Sequence, residues 1–128
     1  MKGKKMIYYF YAIDGDDIGK ALETYILQND IEGVAKFSIK VEQALNFFRE
    51  HFLSYGSEII ICSGDSLLAK ANRKIYIPPE FLKQDDISFS IGIGNYASSS
   101  LLALKKAKGL GKNRIEEILG NPLWELPF

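Results

Sequence analysis

Residues 6 to 13, MIYYFYAI, form an unbroken apolar run, and Asp14, Asp16 and Asp17 follow it within four positions. A short continuous apolar stretch rich in aromatics suits a central strand covered on both faces. Carboxylates near the end of such a strand are expensive to bury unless something neutralises them. Two outcomes satisfy that constraint: a solvated acidic turn, or a site for a divalent cation. Gly15 and Gly19 permit close backbone approach and unusual dihedrals directly after the strand.

The remaining periodicities supply partners for that strand. A first helical segment is predicted from Ile18 to Leu27, with a break and an N-cap at Asn29-Asp30. Val34, Phe37, Val41, Leu45, Phe48 and Phe52 then recur at spacings of three and four, the single stripe of a long amphipathic helix, and Gly56 ends it. SEIIIC, residues 57 to 62, and LLAKA, residues 67 to 71, flank a tight SGD turn and read as a β-hairpin. Pro78-Pro79 interrupts regular structure, and EFLKQ after it suits a short helical turn. ISFSIGIG, residues 87 to 94, alternates bulky with small side chains, so it is a strand whose small face leaves room for close packing. SSSLLALKKAKG reads as a serine-capped helix, and Ile115 to Leu119 as a last strand. The coarse order β-α-(α)-β-β-α-β, with one edge strand after it, is that of an α+β, ferredoxin-like (split βαβ) sandwich, an antiparallel sheet with helices packed on one face. Its central strands are expected to be the first strand and the strand opening after the long helix.

Composition narrows the function classes. The 128 residues suit one domain, 1–128, and 47% hydrophobic with 12% aromatic residues argues against disorder. Sixteen basic and sixteen acidic residues balance, so no global charge points to a stable nucleic-acid partner or an anionic membrane. No apolar stretch approaches the ~20 residues of a membrane span, and the basic MKGKK start is not followed by a signal-peptide pattern. One cysteine, Cys62, excludes an internal disulfide, and the chain reads as cytoplasmic. Cys62 is expected as a small buried hydrophobe, His51 as a surface residue, and Tyr8, Tyr9, Phe10 and Tyr11 as core.

The expected topology gives the acids a shared place. Asp14 and Asp16 are two apart and point the same way along an extended chain, and Asp65 sits in a hairpin turn expected beside the first strand. Converging carboxylates call for a hard cation, Mg²⁺ or Mn²⁺, commonly held together with phosphate oxygens. Lys105, Lys106, Lys108, Lys112 and Arg114 form an acid-free basic cluster; Lys105, Lys108 and Lys112 stand at helical spacing and share one face, suited to a triphosphate. The turn Gly15-Asp16-Asp17-Ile18-Gly19 can also offer backbone N–H groups to phosphate at the start of the first helix. Taken singly, each feature has a plainer reading: a solvated turn, an ordinary hairpin, a solvated helix face.

Together, IDGDDIG, SEIIICSGDSLL, ISFSIGIG and LKKAKGLGKNRI resemble the palm domain shared by GGDEF diguanylate cyclases and the type III CRISPR polymerase subunit. Ala107-Lys108-Gly109-Leu110-Gly111-Lys112-Asn113 matches the A-K-x-x-G-[RK]-N pattern of GGDEF proteins in full. A compact palm of this size is most similar to the minimal CRISPR polymerase family. The resemblance implies that Asp14 is a metal-binding aspartate and Asp16 the second acid of a D-x-D pattern. Ser63-Gly64-Asp65-Ser66 occupies the signature turn with Asp65 as metal ligand, and Lys108 and Lys112 contact a triphosphate. It further implies synthesis of a cyclic di- or oligonucleotide from nucleoside triphosphates, ATP foremost, in antiphage defence, by a homodimer or higher homo-oligomer. Ser63 replaces a glycine, and Ser66 replaces an acid that would be a general base, which weighs against a diguanylate cyclase. A mononucleotide cyclase and a degenerate palm serving as a nucleotide sensor are the alternatives.

Overall fold

A computed structural model describes residues 6–122; the basic MKGKK start lies outside them. The first strand, β1 (Tyr9–Gly15), runs through Asp14 and Gly15 instead of stopping at Ile13, and Met6 and Ile7 precede it, exposed. Helices α1 (Ile18–Leu27) and α2 (Ile31–Ser54) follow, as their periodicity predicts. The Asp30 carboxylate caps α2 by accepting the Gly33 N–H at 2.8 Å. At the other end Gly56 takes φ 73°, a left-handed conformation that glycine adopts without strain.

Strands β2 (Glu58–Ser63) and β3 (Ser66–Ala71) form the expected hairpin, and its turn places Gly64 at φ 60° in the first central position, where glycine is favoured. The segment after it has no full helix: a single 3-10 turn at Pro79–Phe81 leads to the two-residue strand β4 (Lys83–Gln84). Then come β5 (Ile87–Gly94), α3 (Ala97–Gly109) and β6 (Ile115–Ile118).

The sheet order is β2-β3-β1-β5-β4, antiparallel throughout that path, and β6 adds a parallel pairing to β5. Thus β1 is central, flanked by β3 and β5. The strand that opens after the long helix, β2, is an edge strand and not a central one. Among the described residues it pairs only with β3, through a register shift between Ile59 and Ile61, and leaves Ile60, Ile61 and Cys62 exposed. The expectation of a buried Cys62 fails for that reason.

Alternation along the central strands divides the helices between two faces. Tyr11, Ile13, Leu67, Phe89 and Ile91 point toward α2 and form the main core with Phe37, Val41, Leu45, Phe48 and Phe52. Phe48 meets Phe89 edge-on at 5.1 Å, and Tyr11 meets Phe52 at 4.9 Å. The Tyr11 hydroxyl is satisfied by the Ile75 backbone, accepting from its N–H at 2.6 Å and donating to its carbonyl at 3.0 Å. Tyr8, Tyr9 and Phe10 are only half-buried. His51 is likewise half-buried, with Nε2 2.7 Å from the Tyr76 carbonyl.

The interleaved residues face α3. A Cβ on Gly92 would lie 2.1 Å from the Ser100 carbonyl oxygen, and one on Gly94 2.5 Å from the Ser100 nitrogen. The small face of β5 is therefore filled by the α3 backbone. The α+β sandwich with helices packed on a mostly antiparallel sheet holds, but α1 and α2 cover one face and α3 the other. The α3 cap also differs in detail. Tyr96 is the N-cap, and the Ser99 hydroxyl at N3 accepts the Tyr96 N–H at 3.2 Å, because Ala97 and Ser98 already lie inside the helix.

Candidate active site

The last residues of β1 and the β2–β3 turn meet at one end of the sheet. Asp14 pairs with Ser66 in the ladder, and the Gly15 N–H donates to the Asp65 carbonyl at 3.0 Å. A Cβ on Gly15 would stand 2.5 Å from Ile18 Cγ1 and 3.1 Å from Asp65 Oδ2, so glycine is what lets α1 and the acidic turn close on the strand end. Ser66 Oγ donates to Asp14 Oδ1 at 2.6 Å and fixes that carboxylate's orientation. Burial, and then the neighbouring Asp14 charge, push the Asp65 carboxyl above the usual carboxylate range.

Asp16 has a different environment. Its side chain is 3% exposed, and donors occupy both oxygens. Lys108 Nζ and Ser90 Oγ reach Oδ1 at 2.8 and 2.7 Å, and Ser88 Oγ and the Asn113 N–H reach Oδ2 at 2.7 and 2.9 Å. Burial works to raise its pKa, and the hydrogen bonds from Lys108, Ser88 and Ser90 with the Lys108 charge outweigh it, holding the carboxyl below its ordinary value. The four donors come from α3, two positions of β5 and the turn before β6, so this buried carboxylate ties three elements to β1.

Lys108 serves more than Asp16. Its ammonium also lies 3.1 Å from Asp14 Oδ2, 2.8 Å from the Gly15 carbonyl and 3.4 Å from the Asp14 carbonyl. A single positive charge thus sits in a nest of hard oxygens at the end of β1. Lys112 lies beyond the end of α3, in a turn where Lys112 and Asn113 both have positive φ (66° and 49°). It therefore leaves the helical face shared by Lys105 and Lys108 and pairs with Asp17 at 2.5 Å. That hydrogen bond lowers the Asp17 pKa and raises that of Lys112. Asp17 is the α1 N-cap with φ 56° and makes no side-chain cap bond. Lys105 is exposed, while Lys106 and Arg114 are engaged by Glu116.

Two cavities flank the acids. The larger, about 900 Å³, lies between α1, α2 and the hairpin turn, and reaches Ile18, Ser63, Gly64 and Asp65 at one end and Asn46 and Arg49 on α2. The smaller, about 590 Å³, lies on the α3 side and reaches Asp14 and Ser66. Among the described residues no group of three or more His, Cys, Asp or Glu side chains is close enough to hold a metal ion. The D-x-D acids do share one side of β1, but Asp16 is engaged by its own donors while Asp14 faces Asp65.

Ser88, Ser90 and the Asn113 N–H were not among the residues expected at the site. A signal was present in ISFSIGIG. Its small positions are serine at the end that meets Asp16 and glycine at the end that meets α3, a polar-to-empty gradient along one face. Asn46 and Arg49 left no such trace, because on a solvated helix face they read as ordinary polar residues.

The fold and this strand-end site define a palm-type domain of the nucleotidyltransferase and cyclase kind. Residues 10–118 match the minimal CRISPR polymerase (mCpol) domain, and the chain belongs to that family. Among solved structures it is similar to the active GGEEF domain of a diguanylate cyclase from Vibrio cholerae, with TM-score 0.63 and 15% identity over 89% of this chain and 84% of that one. It is equally similar to the coiled coil and GGDEF domain of DgcB from Caulobacter crescentus in complex with c-di-GMP, with TM-score 0.63 and 14% identity over 88% and 70% of the two chains. At such identities the likeness is one of fold. No curated protein matches the sequence. Among the described residues no helix is long and apolar enough to cross a membrane.

Proposed function

We propose that the domain is a divalent-metal-dependent nucleotidyltransferase that joins nucleoside triphosphates, ATP foremost, into a cyclic di- or oligonucleotide, with an antiphage role for the product. The observation that carries this reading is the pairing of Asp14 with Asp65, the latter at one end of the larger cavity, in a chain of the minimal CRISPR polymerase family. A carboxylate whose proton affinity is raised by burial and by a neighbouring carboxylate, as Asp65 is, suits a Mg²⁺ or Mn²⁺ ion, and Lys108 already places a cation among the adjoining oxygens. Asp14 and Asp65 would hold the ion; bound there, it would acidify a ribose hydroxyl and offset charge on departing pyrophosphate. In this reading Asp16 anchors Lys108 and the Asn113 turn, since its own lone pairs are taken.

The protein's part is placement. The larger cavity takes the donor nucleotide, with its triphosphate toward Ser63-Gly64-Asp65 and the N–H groups of Asp17, Ile18 and Gly19 at the start of α1; those of Gly15 and Asp16 are taken by the Asp65 and Ser88 carbonyls. Lys108 and Lys112, and the exposed Lys105 on α3, supply positive charge on the α3 side. The acceptor hydroxyl forms a bond to the α-phosphorus, and the bond from that phosphorus to the bridging oxygen breaks. Pyrophosphate leaves and the hydroxyl proton passes to water. Ser66 donates its proton to Asp14 and is not the base. Two nucleotides must meet for each bond, which supports a homodimer or higher homo-oligomer.

Incubation with each nucleoside triphosphate and Mg²⁺ or Mn²⁺, followed by mass analysis, tests the reading. A cyclic dinucleotide or oligonucleotide is expected, with its yield reduced at least about a hundredfold in Asp65→Ala. A cyclic mononucleotide would select the mononucleotide cyclase, and nucleotide binding without pyrophosphate release would select the sensor.

A further inference from the structure

The Lys108 ammonium ends where the oxygens of the site are densest. Four of them surround Nζ: the Gly15 carbonyl at 2.8 Å, Asp16 Oδ1 at 2.8 Å, Asp14 Oδ2 at 3.1 Å and the Asp14 carbonyl at 3.4 Å. Carboxylates and backbone carbonyls are hard donors, the set that a divalent cation selects. An ammonium has three protons to donate, and here all of them point into this nest. The Asp14 carboxylate is engaged on both sides, because Ser66 Oγ donates to Oδ1 at 2.6 Å while Lys108 faces Oδ2.

These oxygens differ in how readily they change partner. The Asp16 side chain is 3% exposed and keeps three further donors, Ser88, Ser90 and the Asn113 N–H, so it is closed to an ion from solvent. The Asp14 and Lys108 side chains are 33% and 24% exposed, so Asp14 is the carboxylate of the two that an ion can reach. A divalent ion on Asp14 and an ammonium against the same carboxylate repel one another at short range. The lysine is the one able to yield, since its compact charge rides on a flexible stem. Its contact with Asp16 can persist as a pivot while those with Asp14 and Gly15 open.

We propose that Lys108 occupies the cation position at Asp14 until a divalent ion binds, and must withdraw from Asp14 and Gly15 for that ion to be held. The inference rests on the metal-dependent transfer reading above and adds a control on the same site. The chain carries its own competitor for the metal, and the ion's apparent affinity is reduced by the fraction of molecules in which Lys108 has withdrawn. The displaced ammonium is then available to a triphosphate, so that ion and substrate favour each other's binding.

The test is Mn²⁺ binding to the full chain without nucleotide, followed by electron paramagnetic resonance, together with a crystal structure of the Mn²⁺-saturated parent. Lys108→Met keeps an apolar stem and removes the charge, and it is expected to bind Mn²⁺ at least about tenfold more tightly than the parent. Lys106→Met removes a charge from the same helix, one already paired with Glu116, and should change the affinity less than about twofold. In the crystal the ion is expected on Asp14, with Lys108 Nζ withdrawn from the Gly15 carbonyl. An ion on Asp14 with Nζ still against that carbonyl and Asp14 Oδ2 overturns the displacement, whether or not Lys108→Met folds. Equal Mn²⁺ affinity in folded Lys108→Met and the parent overturns it as well, and leaves the transfer reading standing. Absence of Mn²⁺ binding in both chains overturns the metal-dependent reading itself, and the competition with it.

Discussion

The two faces of the sheet are built on opposite principles. Toward α2 the strands present Tyr11, Ile13, Phe89 and Ile91, large side chains that fill the space to the helix and remove apolar area from water. Toward α3 the same strands present Ala12, Ser90, Gly92 and Gly94, and the helix backbone comes down onto the sheet. The first face is held by hydrophobic burial, which is tolerant of small adjustments. The second is held by close approach and by a buried carboxylate with four donors, both intolerant of displacement. The side chains of Asp14, Asp16 and Lys108 belong to the second face. A site that needs charges fixed to fractions of an ångström is placed on the rigid side, and the large core on the other face supplies the bulk of the stability.

The largest effect expected from this contrast is on the apolar face. Phe48 is fully buried between Phe81 and Phe89, and Phe48→Ala should destabilise the domain by about 3–5 kcal/mol. Urea unfolding measures it, and folded molecules of this variant should keep the nucleotide affinity of the parent. Gly92→Ala should destabilise by about 1–3 kcal/mol, because α3 must move off the sheet. Here the folded molecules should also lose nucleotide affinity, since Lys108 moves with the helix. Equal nucleotide affinity in the two variants would break the comparison between the faces.

The apolar face was legible from the sequence because it is periodic. The α2 stripe from Val34 to Phe52 and the bulky positions of ISFSIGIG each state their own burial, and the element boundaries of α1 and β5 follow from them. Convergence of β1 with the SGD turn was also legible, since a hairpin beside a central strand places its turn at that strand's end. The position of β2 was not: Ile59, Ile60 and Ile61 look like a core strand, and only the pairing of β3 with β1 puts them at an edge. Nor was the side on which α3 packs, because a face of glycines and serines says that something comes close without saying what. Asp16 looked equivalent to Asp14 by spacing alone. Its separate environment depends on Ser88, Ser90 and the Asn113 N–H, all distant in sequence; the serines mark a polar end of the small face of β5 without saying which group they serve.

An effect of the same size as that of Gly92→Ala is the most specific to the polar side. Asp16→Asn keeps the shape of the buried group but removes its charge and turns one acceptor into a donor facing donors, so a loss of about 1–3 kcal/mol at neutral pH is expected. Its pH dependence separates this from ordinary core damage. The Asp16 carboxyl titrates below its ordinary value in the folded protein, so the unfolded chain binds the proton first as pH falls. Its contribution is therefore complete above the unfolded pKa near 4, and is lost as pH drops through the lower folded value. Asp65 acts in the opposite sense: its raised carboxyl makes stability fall as pH rises from its ordinary value to the raised one. Stability measured by urea unfolding from pH 2 to pH 7 should show a shallower acid limb in Asp16→Asn than in the parent. Asp65→Asn should instead steepen the gain in stability from acid to neutral pH. Parallel curves for the parent and Asp16→Asn would mean that the four-donor clasp holds Asp16 no more tightly as an anion than as an acid, and the polar side would then owe its rigidity to the close approach of α3 alone.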